Sequence, residues 1–300
     1  MRRAATLAGA LLLLAAALVG LGLHNDEPDT AAVPELSHPE LIERGAYLAR
    51  AGNCQDCHTP RGEPPYSGGR GIPTPFGTVY SSNLTPDAAT GLGTWSALDF
   101  RRALHQGRSR DGRLLAPAFP YDAYTQISTA DADALFAYLR GLPAVHRPNR
   151  PHALRFPYDM QAALWVWRAL YFRPGRFDPQ PQQPDEWNRG AYLVQALGHC
   201  GACHTERNAW GATRDAAALR GGLMPMQNWY APALGGAPAE SMAGLLRRGV
   251  SDEAALLGPM AEVVLHSTQH LSEADLRAIG RYLQSLPRLA AAVPGGPRPS

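Results

Sequence analysis

The pentapeptide Cys54-Gln55-Asp56-Cys57-His58 recurs 146 residues later as Cys200-Gly201-Ala202-Cys203-His204, and the two copies use every cysteine of the chain. C-x-x-C-H is the pattern that attaches a c-type haem. Two thiols three residues apart reach the two vinyl groups on one edge of the porphyrin. The histidine that follows places an imidazole under the iron. Zinc is the first competing chemistry, but a zinc ribbon sets its cysteine pairs about 15–20 residues apart. A thioredoxin-like redox pair needs a surrounding βαβ pattern, which is absent here. Structural disulfides give no reason for His58 and His204 to abut the motif twice. The motifs therefore predict two covalently bound haem c groups, held by Cys54 and Cys57 and by Cys200 and Cys203. His58 and His204 are the expected iron ligands.

Three hundred residues with 45% apolar side chains suffice for about two domains with cores of their own. A formal net charge of +2 argues against a nucleic-acid partner. All the basic residues are arginine. Arg2-Arg3 precedes an almost wholly apolar run at 4–23, and polar residues follow at His24. As a helix rising about 1.5 Å per residue, twenty residues cross the hydrocarbon core. The run exceeds the usual apolar core of a secretory signal, about 7–15 residues. An uncleaved anchor is the expectation, with a cleaved signal as the alternative. Either puts the rest of the chain on the periplasmic side, with membrane association through the N-terminal segment.

The chain is internally duplicated. Arg44-Gly45-Ala46-Tyr47-Leu48 leads into the first motif and Arg189-Gly190-Ala191-Tyr192-Leu193 into the second. Both halves also close alike: Ile127-Ser128-Thr129-Ala130-Asp131 and Leu271-Ser272-Glu273-Ala274-Asp275 each open an amphipathic run that ends near a Leu-Pro pair. Serine is a natural N-cap, and the acid sits in the first turn. The expected fold is all-α. It consists of two tandem domains over about 38–148 and 185–288, joined by a helical, proline-rich linker at 149–184. Residues 1–37 form the signal or anchor and its tether, and 289–300 a tail. Trp165 and Trp167 in the linker are expected to pack between the halves.

Over about residues 40–287 the chain resembles the membrane-associated multi-haem cytochrome c subunits of bacterial alcohol, aldehyde and sugar-acid dehydrogenases. The resemblance rests on Thr74-Pro75-Phe76-Gly77-Thr78, Ser82-Asn83-Leu84-Thr85-Pro86-Asp87, Thr90-Gly91-Leu92-Gly93, Asp99-Phe100 and, in the second half, Gly258-Pro259-Met260-Ala261-Glu262. It implies two tandem cytochrome c domains and no catalysis on the organic substrate. Electrons would come from a dehydrogenase catalytic subunit and leave towards a respiratory-chain acceptor. Relatives usually carry three haems, so a shorter di-haem member is expected.

The resemblance also implies Met260 as the sixth ligand of the second iron. Met224 and Met226 are its rivals. In the first half the family's P-A-M-P-Y loop reads Pro117-Ala118-Phe119-Pro120-Tyr121. Phenylalanine cannot bind iron. Three alternatives stay open: a five-coordinate first haem, ligation by His105, His146 or His152, or Met160 reaching in from the linker. A thioether raises the reduction potential, so the first haem is expected to lie below the second. A di-haem peroxidase and a gas sensor are the competing functions. The first lacks an acid or base in the Phe119 loop, and the second lacks an output domain. Carbonyls near Pro73–Gly77 and Tyr230–Leu234 are candidate acceptors for the histidine Nδ1 groups. Arg70 and Arg108 are candidate propionate partners.

Overall fold

The computed structural model describes residues 31–288, apart from positions 225, 252 and 253. The apolar run at 4–23 and the tail at 289–300 lie outside those residues. No described helix is long and apolar enough to cross a membrane.

In the first half, helix α1 (Pro39–Ala51) starts with proline at its first position, where the missing N–H costs nothing. The chain turns at Gly52 and left-handed Asn53 (φ 49°) into the short helix α2 (Cys54–His58). Strands β1 (Gly71–Thr74) and β2 (Gly77–Tyr80) form a hairpin. Helix α3 (Ala97–Gln106) opens on a capping box between Ser96 and Asp99. A single turn, α4 (Tyr121–Tyr124), leads to α5 (Thr129–Arg140), whose N-terminus is capped by the Ser128 hydroxyl. Between the halves come β3 (Ala153–Leu154) and α6 (Gln161–Tyr171).

The second half repeats the plan. Helix α7 (Asp185–Tyr192) continues as a π-helical turn at Leu193–Leu197 and reaches α8 (Gly201–His204). Strands β4 (Gly222–Met224) and β5 (Trp229–Ala231) pair antiparallel. Helices α9 (Ala239–Arg248) and α10 (Pro259–His266) precede α11 (Glu273–Ser285), capped by the Ser272 hydroxyl. The two serine caps fall where the S-x-x-D pattern placed them.

Each half is pinned by one close helix crossing. A Cβ at Gly45 would run into the Ala134 carbonyl, and one at Gly190 into the Ala278 carbonyl. Glycine at the same place in both R-G-A-Y-L copies lets α1 meet α5, and α7 meet α11, backbone to backbone. Leu48, Leu135, Phe136, Val194, Leu197 and Leu276 are buried around these crossings. Each contributes about 1.5–3 kcal/mol of apolar burial.

One part of the sequence-based expectation is overturned. The fold is not all-α, because two antiparallel sheets stand between the helices, one ordered β1-β2-β3 and the other β4-β5. Their strands run for only two to four residues, too few for alternation to show. Pro73, Pro75 and the flanking glycines make the first hairpin read as loop. Gly77 (φ 127°) has no Cβ to strike Ala153, and so admits β3 against β2. The two halves also pack against one another. Buried residues of both form one continuous core, from Leu48 and Phe136 to Val194, Leu246 and Leu283. The segment expected as linker adds β3 to the first half's sheet. Its Trp167 indole N–H donates to the Trp210 carbonyl at 2.9 Å, joining α6 to the second half.

Candidate haem sites

Asn53 and His199 hold the same left-handed turn before the first cysteine of each motif (φ 49° and 38°). The turn breaks the preceding helix, so C-x-x-C-H begins a turn of its own. At i and i+3 the two cysteines of a motif share one helical face. None of the four is in a disulfide. Burial, with the neighbouring cysteine's charge adding, pushes Cys54 and Cys200 up to about 12, so both are neutral thiols at pH 7.

The histidines are oriented from behind. His58 Nδ1 lies 2.7 Å from the Ser82 carbonyl oxygen, and His204 Nδ1 lies 2.7 Å from that of Pro232. A carbonyl only accepts, so Nδ1 carries the proton and Nε2 keeps its lone pair. Burial holds both imidazoles below the usual histidine range, against the opposing carbonyl contacts. Two thiols on one face, followed by a neutral imidazole with its Nε2 lone pair available, fit a covalently attached haem. The second acceptor falls within the expected stretch. The first lies five residues beyond its stretch, past the β-hairpin.

The Asn83-Leu84-Thr85-Pro86-Asp87 run is the scaffold behind His58. Asn83 is buried; its amide donates to the Val145 carbonyl at 2.8 Å, and its Oδ1 accepts from the Thr85 N–H and hydroxyl. Asp87 Oδ1 accepts from the Thr90 N–H and hydroxyl, each at 2.7 Å. At Gly91 a Cβ would strike the Thr85 carbonyl, and at Gly93 the Pro86 carbonyl, which accounts for both glycines of T-G-x-G. Left-handed Gly68 (φ 73°) lies against Ser82 so closely that any Cβ would displace it. The Gly68 N–H also donates to the His58 carbonyl at 2.8 Å. One glycine thus clamps the histidine's backbone to the segment after β2 that supplies its acceptor.

Met260 sits in the first turn of α10, half-buried against the core, rather than in a loop. Helix α10 is tied to the first motif: Glu262 pairs with Arg70, and His266 lies 3.3 Å from Asp56. Met224 is in β4, and Met226 is exposed. Phe119 packs half-buried on the core in a T-shaped contact with Tyr124, ring centroids 5.4 Å apart. His105 is buried in the last turn of α3. His146 lies 3.5 Å from Asp87, His152 Nδ1 accepts the Tyr80 N–H, and Met160 is exposed at the start of α6. Arg70 is engaged by Asp56 and Glu262, while Arg108 lies over the Trp165 ring. Tyr124 went unnoticed in the sequence although it touches both motifs' approaches; the only signal was its place five residues after Phe119.

Fold and sites together define a c-type cytochrome. The sequence profile of the cytochrome c family matches residues 42–143. The chain is 42% identical to a component of the nicotinate dehydrogenase of Pseudomonas putida, across 82% of this chain and 21% of that protein. It is 39% identical to the gluconate 2-dehydrogenase cytochrome c subunit of Pantoea cypripedii, across 85% and 62% of the two chains. A diheme cytochrome c-type protein of Cereibacter sphaeroides is 35% identical across 96% of this chain and all of its own length. The chain thus spans less than two thirds of these dehydrogenase relatives and the whole of the diheme one. It belongs to the cytochrome c family, whose cofactor is covalently bound haem c.

Proposed function

We propose that the chain is a di-haem electron carrier between a dehydrogenase catalytic subunit and a respiratory-chain acceptor, working on the periplasmic side. The observation that carries this reading is the twofold repetition of one histidine geometry, 2.7 Å from Nδ1 to a backbone carbonyl at both motifs. Bound at each site, haem supplies an iron that cycles between ferrous and ferric states.

The chain's own residues do the rest. Cys54 and Cys57, and Cys200 and Cys203, form the thioethers. His58 and His204 bind iron through Nε2, and the carbonyls of Ser82 and Pro232 fix ring orientation and raise ligand basicity. Met260 is proposed as the second site's sixth ligand, a soft thioether that favours the ferrous form. With Phe119 where the family has methionine, this loop would give the first site no thioether ligand, and Pro117, Ala118 and Phe119 would supply no acid or base for peroxide chemistry. The dehydrogenase partner is inferred from the names of the relatives.

The test is haem stoichiometry with redox titration. Two haems per chain are expected, falling to one in Cys54→Ala/Cys57→Ala and in Cys200→Ala/Cys203→Ala, with two resolved potentials in the parent. One haem per chain in the parent would overturn the reading. Reduction by a purified dehydrogenase catalytic subunit, followed at the haem bands, tests the partner.

A further inference from the structure

Tyr124 touches the approach to both C-x-x-C-H motifs. Its ring stacks on that of His199, with centroids 5.4 Å apart and planes 21° from parallel. His199 is the residue immediately before Cys200. The Tyr124 hydroxyl donates to the Gly52 carbonyl at 3.3 Å, two residues before Cys54. The ring also makes an edge contact with Phe119, from the loop expected to face the first iron. Tyr124 itself is only 6% exposed.

The two attachment segments also meet directly. A Cβ placed on Gly52 would lie 3.3 Å from Cys54 Sγ and 3.5 Å from the Leu197 carbonyl oxygen.

A core-filling role accounts for the ring's burial but not for its pattern of partners. An aliphatic side chain would fill the same volume without stacking on His199 or reaching Gly52. The two halves differ at this point: Asn53 and His199 share the left-handed turn, yet only the second copy carries a ring there. The ring it carries is the one Tyr124 stacks against.

We propose that Tyr124, stacked on His199 and hydrogen-bonded to Gly52, is the positioning residue that holds the two haem-attachment segments edge to edge and thereby sets the rate at which the two haems exchange an electron. The inference rests on the di-haem reading above. One electron moves, oxidising one iron as it reduces the other. Tyr124 and His199 keep their own electrons and protons.

The experiment uses the full-length holoprotein as Tyr124→Leu, Tyr124→Phe and His199→Asn. The last is the conservative break, since asparagine is the residue the first half places in the same left-handed turn. Haem per chain is counted in every sample, and interhaem exchange is read from the broadening of haem methyl NMR resonances in half-reduced protein. Tyr124→Leu and His199→Asn should keep two haems and slow exchange several-fold, and Tyr124→Phe, which keeps the stack but loses the Gly52 hydrogen bond, should fall between them and the parent. Unchanged exchange in His199→Asn carrying two haems would overturn the inference, whether or not Tyr124→Leu folds. A single haem in the parent would instead overturn the di-haem reading.

Discussion

Tyr47 and Tyr192 are exchanged between the two halves of the molecule. The Tyr47 phenol donates to Asp275 at 2.6 Å, and the Tyr192 phenol donates to Asp131 at 2.6 Å. Each aspartate is held within its own half by the arginine of the same R-G-A-Y-L copy, Arg44 for Asp131 and Arg189 for Asp275. The Tyr47 oxygen also accepts the Ser272 N–H, and the Tyr192 oxygen the Ser128 N–H, each at 3.2 Å. One duplicated pentapeptide, read against one duplicated N-cap, thus makes a pseudo-twofold contact.

Removing either hydroxyl should loosen both halves at once. Tyr47→Phe and Tyr192→Phe each lose a hydrogen bond to a carboxylate, about 1.5–3 kcal/mol. Each kcal/mol lowers the melting temperature by about 2–4 °C in a protein of this size. Because the core is continuous, calorimetry of the holoprotein should show a single transition moving down. A split in which only one half melts earlier would contradict that cooperativity.

Acid should weaken the same contact. Burial by itself would raise the Asp275 carboxyl, but hydrogen bonds from Arg189 and Tyr47, with the Arg189 charge, hold it below the usual range. The unfolded chain then binds the proton more readily, so this stability is present above the unfolded value of about 3.9 and is lost as pH falls through the folded value. Denaturant midpoints should decline below about pH 4. Asp275→Asn should lower stability at neutral pH and flatten the acid limb. An unaltered acid limb in that variant would place the titration elsewhere.

The helix crossings should tolerate no added carbon. Gly45→Ala and Gly190→Ala push a methyl group into the Ala134 and Ala278 carbonyls, which belong to helix backbone and cannot rotate away. Overpacking of this kind costs about 1–3 kcal/mol or more. Reduced haem incorporation and a lower melting temperature are expected. Parent-like behaviour would mean the helices can separate without loss.

Gly68→Ala should disturb one site only. The methyl group must displace Ser82, whose carbonyl orients His58, and alanine is strained at φ 73° besides. Redox titration should show the first haem's potential shifted and the second's unchanged. Ser82→Ala should do little, because the acceptor is backbone.

Phe119→Met restores the ligand residue that the resemblance implies for the first site. The first haem's potential should rise towards the second's, since a thioether stabilises ferrous iron. The ferric spectrum should gain a second methionine-ligation band. No change in potential would show that this loop does not face the iron.

Much of the site was legible in the residue pattern. The motif spacing identified four cysteines and two histidines, and the S-x-x-D pattern placed both helix caps. Met260, expected in a Gly-Pro-Met loop, instead opens helix α10. The hairpin at Gly71–Tyr80 was not legible, because four-residue strands interrupted by proline carry no measurable period. Ser82 was missed as the His58 acceptor for a related reason: any residue can offer a backbone carbonyl, so its identity carries no signal.

The sequence by itself determined the cofactor chemistry, since covalent haem attachment needs particular side chains at fixed local spacing. It also determined the duplication and the helices that carry the motifs. Tertiary structure alone decided that the halves share one core, that Tyr47 reaches Asp275 instead of the nearer Asp131, and that Tyr124 lies between the two attachment segments. These are pairings between residues far apart in the chain. They are selected by which backbones can approach, at Gly45, Gly190, Gly52 and Gly68, and local pattern does not record that.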